Sequence, residues 1–324
     1  MNHLNLFNTG LVILLATCSC VGSVEGQSIS GYTYSKSGAS GISALAAKLP
    51  NDIDNVYLKA VDVTAAGQAL AKLNASDRFF PNSWTGSTSP PPTFTAMVSV
   101  ALGVDWSNYQ TTKSELQNAL TTYKWLDDYN AGMTIDSEFA VNLKTFDANW
   151  VAFMVGMREF ANNAGQDFSF YLNPKYLNSA RFPDAAMNAA DVAKILGSST
   201  THVNEVLFPV YIGGGANTDS GTLDAAALAM KTEGLAYEWI HDITEDTGTF
   251  KAGMAMAHNA NVSAGFIPNG VSVYQYLNDE PVTQNMNDNL AALVGNPNSV
   301  VPEPTAILIW AIMAGFGATI RRRR

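Results

Sequence analysis

The sequence predicts an α/β fold on a mainly parallel sheet, a (β/α)8-type barrel that is irregular in its first units. Short strand-like runs alternate with amphipathic helical stretches along most of the 324 residues, the pattern that places helices outside a parallel sheet. Seven or eight such units can be counted in a central stretch of about 270 residues, close to the usual length of such a barrel. No repeat of fixed period competes with this reading. A doubly wound open sheet is the alternative, because the early units are poorly marked.

Taken in order, residues 27–50 are rich in Ser, Gly and Ala and either begin the fold or form a loose lead-in to it. Asn55 to Asp62 alternates as a strand and ends on a carboxylate. Ala65 to Leu73 reads as a helix, and Asn82 to Thr93, which contains Pro90-Pro91-Pro92, as a long loop. Tyr109 to Tyr129 carries Leu116, Leu120, Tyr123 and Leu126 near helical spacing, and Gly132 stops it. Met133 to Phe139 reads as a strand, Asp147 to Ala164 as a helix ended by Gly165, and Asp167 to Asn173 as a strand closed by Pro174. Ala189 to Leu196 is helical. Glu205 to Ile212 is a strand running into Gly213-Gly214-Gly215. Leu223 to Ile243 reads as one long helix, and Phe250 to Ala257 and Val271 to Leu277 as two further strands.

The two ends carry a different message. Leu11-Val12-Ile13-Leu14-Leu15-Ala16 is a short apolar core followed by small residues, the form of a secretory signal with cleavage after Gly26. A lipoprotein signal acylated at Cys18 is the competing reading, and Thr17 before that cysteine fits it poorly. At the other end Pro302-Glu303-Pro304 precedes an uncharged run, Thr305 to Ile320, and then Arg321 to Arg324. The run would extend about 24 Å as a helix, slightly short of the roughly 30 Å hydrocarbon core of a bilayer. The arginines would hold its end in the cytoplasm.

These three parts together resemble the PEP-CTERM sorting signal of Gram-negative bacteria. The resemblance implies that an exosortase-type membrane protease reads Pro302, Glu303 and Pro304. It also implies a membrane anchor through the C-terminal segment that lasts only until processing, and delivery to the cell envelope, the surface or the medium. The expected boundaries are 1–26 for the signal peptide, 27–298 for a single exported domain and 299–324 for the sorting signal. A plain C-terminal anchor is the alternative.

Composition agrees with export. Both cysteines, Cys18 and Cys20, fall inside the signal, so the mature chain offers no disulfide, thiol nucleophile or thiolate ligand. Without the terminal segments 14 basic residues face 26 acidic ones, a net charge of −12 that disfavours nucleic acid and anionic membrane surfaces. Charged residues make up only 14 % of the chain, with many Asn, Ser and Thr instead, which suits a secreted domain with polar, uncharged partners.

In a barrel, functional groups come from the C-terminal ends of strands. Asp62, Asp136, Glu138, Asn173, Tyr211, His258, Gln275 and Tyr276 collect at the expected ends. The sharpest feature is Asp136-Ser137-Glu138. Residues two apart on a strand share a face, so both carboxyl groups would enter the barrel mouth. Two close carboxylates do not both ionise cheaply, which leaves one able to donate a proton near neutrality. The alternative is that these carboxylates cap a neighbouring helix or sit in solvent.

Other chemistries lack support. His202, His241 and His258 share no metal-ligand spacing, and neither a metal nor a cofactor is expected. The Gly213-Gly214-Gly215 run lacks the rest of a phosphate-binding motif, and there is no Gly-x-Ser-x-Gly elbow. Trp84, Trp106, Trp125, Trp150 and Trp239 mostly sit in helical patterns and read as core rather than as sugar-stacking platforms.

Ile135-Asp136-Ser137-Glu138 is similar to the Asp-x-Glu strand of barrel glycoside hydrolases of the chitinase-like and lysozyme-like families. That resemblance implies Glu138 as proton donor and Asp136 as its assistant. It also implies Asp62, Tyr211, Gln275 and Tyr276 as residues lining a sugar cleft. His258, read at the end of a strand, is a further candidate there, as an acid/base, a metal ligand or a substrate contact, with a structural hydrogen-bonding role as the alternative. Thr134 and Ala131 stand where the chitinase-like pattern carries two further acids. Two functions are therefore expected in competition: a glycoside-hydrolase-like enzyme, or a non-catalytic surface or biofilm-matrix protein that binds polysaccharide.

Overall fold

A computed structural model describes residues 28–33, 54–71, 93–123, 125, 130–137, 148–180, 187–210, 219–266, 268, 270–274 and 283–295. Nine strands form one sheet: β1 (Ser28–Thr33), β2 (Asn55–Val63), β3 (Ala69–Ala71), β4 (Thr93–Val100), β5 (Asn130–Ser137), β6 (Asp167–Tyr171), β7 (Asn204–Pro209), β8 (Ala236–Asp242) and β9 (Gly270–Tyr274). Among the described residues six α-helices flank it: α1 (Tyr109–Thr122), α2 (Ala148–Asn163), α3 (Ala189–Leu196), α4 (Ser220–Glu233), α5 (Thr247–Ala264) and α6 (Gln284–Gly295).

Eight strands run parallel, and β1 pairs with both β9 and β2, which closes the sheet into a barrel. The seam is short. β1 meets only the first part of β2, from Ser30 opposite Asn55 to Thr33 opposite Leu58. The rest of that edge, Val61 to Val63, is covered by the antiparallel β3. The first unit is therefore the irregular one: a turn and a strand stand where a helix over Ala65 to Leu73 was expected. Gly67 makes that turn, with φ near 76° and its N–H bonded to Thr64 O.

Two further elements correct the reading from sequence. The long helix over Leu223 to Ile243 is α4 followed by β8, divided at Gly234, whose φ is 65° and whose N–H bonds back to Met230 and Lys231 carbonyls. The strand over Phe250 to Ala257 is the middle of α5, started by Asp246, whose side chain accepts from the Gly248 and Thr249 N–H groups. Neither β4 nor α6 is anticipated from the sequence.

The outward face of the strands and the helices share one core, in which Val98, Ile135, Phe170, Phe208 and Trp239 meet α-helical residues such as Leu116, Trp150, Met157, Ile195 and Leu223. Trp125, Trp150 and Trp239 are all buried. Inside the barrel a smaller apolar layer of Tyr57, Met97, Leu207 and Ile240 is flanked by Tyr171 and Tyr274. Strands buried on both faces are what a parallel barrel requires. No helix among the described residues is long and apolar enough to cross a membrane; the apolar run Thr305 to Ile320 lies outside them.

Candidate functional site

The C-terminal ends of the strands form the barrel mouth. There Asp62 on β2 is paired in register with Ser99 on β4, and Ser99 with Asp136 on β5. Two carboxylates and a hydroxyl thus stand in one row across three adjacent strands. Ser99 Oγ is buried and has no hydrogen-bond partner among the described residues.

A β-bulge sets the row. The register between β2 and β4 shifts between Lys59 and Val61. Strict alternation would put Asp62 with Leu58 and Ala60 against the helices. The extra residue instead turns Asp62 to the face of Lys59, opposite Met97 of the inner layer. Lys59 Nζ then lies 2.9 Å from Asp62 Oδ1. The mouth consequently holds a cation beside its carboxylates.

Aromatic rings border this end. Tyr171 closes β6 and Tyr274 closes β9, and both are half-buried against the inner apolar layer. Tyr274 lies opposite Asp242, which ends β8 and accepts from the Thr244 hydroxyl at 2.7 Å. Asn173, just past β6, caps the short helical turn Pro174–Leu177 by accepting from Lys175 N–H. In that turn Lys175 is buried beside the Tyr176 ring, 5.2 Å from its centroid, and burial lowers its pKa.

Of the expected site residues, the mouth brings together Asp62 and Asp136. Glu138, Tyr211, Gln275 and Tyr276 lie outside the described residues, as do Pro302, Glu303 and Pro304. His258 is corrected. It belongs to α5, in the outer helical layer, and its Nδ1 is buried without a partner among the described residues. Its helix was mistaken for a strand, and that error alone carried His258 to the mouth.

Ser99, Lys59 and Tyr171 are the mouth residues that sequence reasoning missed. Tyr171 was legible, since it ends a strand already identified. Ser99 was hidden with the whole of β4, and Lys59 by the bulge.

The opposite, N-terminal end of the barrel is chemically different. A cavity of about 430 Å³ opens there, lined at the strand starts by residues including Asp54, Asn55, Asp167, Ser169, Glu205 and Glu238. The Tyr57, Met97, Leu207 and Ile240 layer lies between it and the mouth. Among the described residues no three acidic, His or Cys side chains stand close enough to hold a metal ion.

No protein-family model matches the chain, and no curated protein does. Among solved structures the fold is similar to a chitinase from Bacteroides thetaiotaomicron, 10% identical, with a TM-score of 0.55 over 86% of this chain and 98% of that one. A chitinase from Chromobacterium violaceum is 11% identical, with a TM-score of 0.50 over 82% and 99% of the two chains. The spore cortex-lytic enzyme SleL of Bacillus megaterium is 12% identical, with a TM-score of 0.50 over 82% and 73%. What these proteins share with the present chain is the barrel.

Proposed function

We propose that the chain is an exported cell-envelope protein whose barrel acts on a glycan, hydrolysing glycosidic bonds at the C-terminal mouth. The observation that carries this reading is the row of Asp62, Ser99 and Asp136 at the strand ends, bordered by Tyr171 and Tyr274. Carboxylates supply acid–base chemistry, and aromatic faces stack on sugar rings. The barrel's likeness to two chitinases and a cortex-lytic enzyme supports a polysaccharide substrate.

Glu138, two residues beyond Asp136, is the proposed proton donor to the leaving oxygen. The Asp136 carboxylate would raise its pKa and keep it protonated until the bond breaks. A panel of chitin, peptidoglycan and exopolysaccharide fragments tests this. Reducing ends should be released from one of them, and Glu138→Gln should slow that release by about 10²–10⁴-fold, the usual worth of a general acid. Equal rates in both proteins would remove Glu138 from the mechanism.

The second reading is a non-catalytic glycan binder. It is favoured by Thr134 and Ala131, which replace two acids of the chitinase-like pattern, and by the Lys59–Asp62 ion pair that engages one mouth carboxylate. It requires glycan binding that Glu138→Gln leaves intact, without hydrolysis by either protein.

Export through the signal peptide and processing near Pro302-Glu303-Pro304 by an exosortase-type protease belong to the same proposal, supported by the two terminal segments. The intact mass of the protein recovered from the cell envelope should correspond to a chain beginning at Gln27 and lacking the arginine tail. Recovery of the unprocessed chain from the cytoplasm would refute it.

A further inference from the structure

The row at the mouth does not end at Asp62. On the other side of Asp62, and in register with it, stands Leu70, the middle residue of β3. Directly opposed residues of antiparallel strands share a face. Leu70 therefore continues the line of Asp136, Ser99 and Asp62 onto a fourth strand. Its neighbours fix the direction. Ala69 and Ala71 oppose Val63 and Val61, which are buried in the helix-facing core, and Ala69 packs against that core. Leu70 lies between them, points the other way, and is 49% exposed.

The platform beneath this side chain is rigid. Gly67 N–H bonds Thr64 O at 2.8 Å and Thr64 N–H bonds Gln68 O at 2.9 Å, closing the turn that delivers β3. Gln68 N–H adds a bond to Thr64 Oγ1 at 3.2 Å. A Cβ at Gly67 would collide with the Thr112 hydroxyl of α1, so the turn sits directly on that helix. β3 holds the edge of β2 from Val61 to Val63, above the stretch paired with β1. Leu70 is thus part of the inner rim rather than the outer wall.

A half-exposed leucine somewhere on a surface is ordinary. One held on a fixed strand, in line with two carboxylates, is a contact offered to whatever crosses them. Three strand spacings put Leu70 roughly 14 Å from Asp136, farther than a single sugar ring reaches. Leu70 therefore stands clear of the bond beside Asp136, and a longer chain bound at that bond would pass over it. Sugar rings carry apolar C–H faces, and covering a leucine with one removes apolar surface from water. A leucine offers no hydrogen bond, so it favours a unit that presents C–H groups and disfavours a charged one.

We propose that Leu70 is a specificity-determining residue, an apolar subsite that holds a remote, uncharged unit of a glycan chain laid across β5, β4, β2 and β3. The proposal rests on the reading of the mouth as the glycan site and extends it. The substrate is a chain of several units, and its affinity grows once it is long enough to reach β3.

Calorimetric titration of the full chain in detergent tests this, in a Glu138→Gln background that slows hydrolysis, with chitohexaose and chitobiose as probes. Leu70→Asn should weaken chitohexaose about three- to tenfold, the loss expected when part of a leucine side chain is no longer covered. Chitobiose, too short to reach from Asp136 to Leu70, should keep its affinity within about twofold. Leu70→Met should retain the hexaose affinity. Leu228→Asn, which changes a leucine 57% exposed on α4, should leave both probes unaffected. Undiminished hexaose affinity in Leu70→Asn, equal losses for the two probes, or an equal loss in Leu228→Asn would overturn the subsite. Asp136→Asn separates the two readings: hexaose binding that it weakens and Leu70→Asn does not would remove the subsite and leave the glycan site standing. No hexaose binding by any variant would also overturn the subsite, whereas the glycan reading falls only if the peptidoglycan and exopolysaccharide fragments fail as well.

Discussion

Asn261 on α5 accepts two hydrogen bonds in the core, from Tyr237 OH at 2.6 Å and Trp239 Nε1 at 2.9 Å. Both donors come from β8 and all three residues are buried, so one side chain fastens a helix to the barrel. Asn261→Leu would strand both donors in an apolar setting. The expected loss is about 2–6 kcal/mol in chemical denaturation, because each unsatisfied buried group costs about 1–3 kcal/mol. Two titrating groups on the same strand oppose each other. Burial raises Glu238 from 4.5 to about 7, so between those values the folded chain holds a proton that the unfolded chain has lost, and stability falls as pH rises. Burial lowers His241 from 6.5 to about 4. There the unfolded chain holds the extra proton, and stability rises with pH. The two slopes cancel between about 4.5 and 6.5. Glu238→Gln should therefore unmask a rise in denaturation midpoint across that range. At pH about 8 it should be more stable than wild type, by on the order of 3 kcal/mol. An unchanged pH profile would mean that Glu238 is not held protonated by burial.

Elements differ in how plainly the sequence marked them. Asn188 accepts from Asp191 N–H at the start of α3 and Gly197 follows its end, so that helix was read with its observed bounds. α1 was recognised by Leu116 and Leu120, which are buried on one face. β8 was absorbed into the preceding helix because a strand buried on both faces is a continuous apolar run, and Tyr237 to His241 shows no alternation in burial. Gly234 was the available signal. Its left-handed conformation makes Gly234→Ala cost about 1 kcal/mol, which thermal denaturation should register as a lower midpoint with an unchanged fold. α5 was misread because Gly, Ala and Met dominate its middle, and the Asp246 cap was passed over. The bulge in β2 could not be read at all. It depends on pairing with β4, a tertiary fact, and it decides which way Asp62 points.

At the scale of the whole molecule, the barrel separates two chemistries along one axis. Carboxylates, Lys59 and tyrosines face the mouth, an apolar layer fills the middle, and acids with small polar residues surround the floor. The barrel class was legible because strand–helix alternation is a property of the whole chain and survives several misassigned elements. The alignment of Asp62 and Asp136 on either side of Ser99 was anticipated only in outline, since the register that sets it runs through the unrecognised β4. The central claim is that glycan binds at the mouth. Hydrogen exchange of Glu138→Gln, with and without the best-bound oligosaccharide, tests it most directly. The expected result is protection at the C-terminal ends of β2, β4 and β5, around Asp62, Ser99 and Asp136. Protection confined to the N-terminal ends, around Asn55, Thr93 and Asp167, would contradict it.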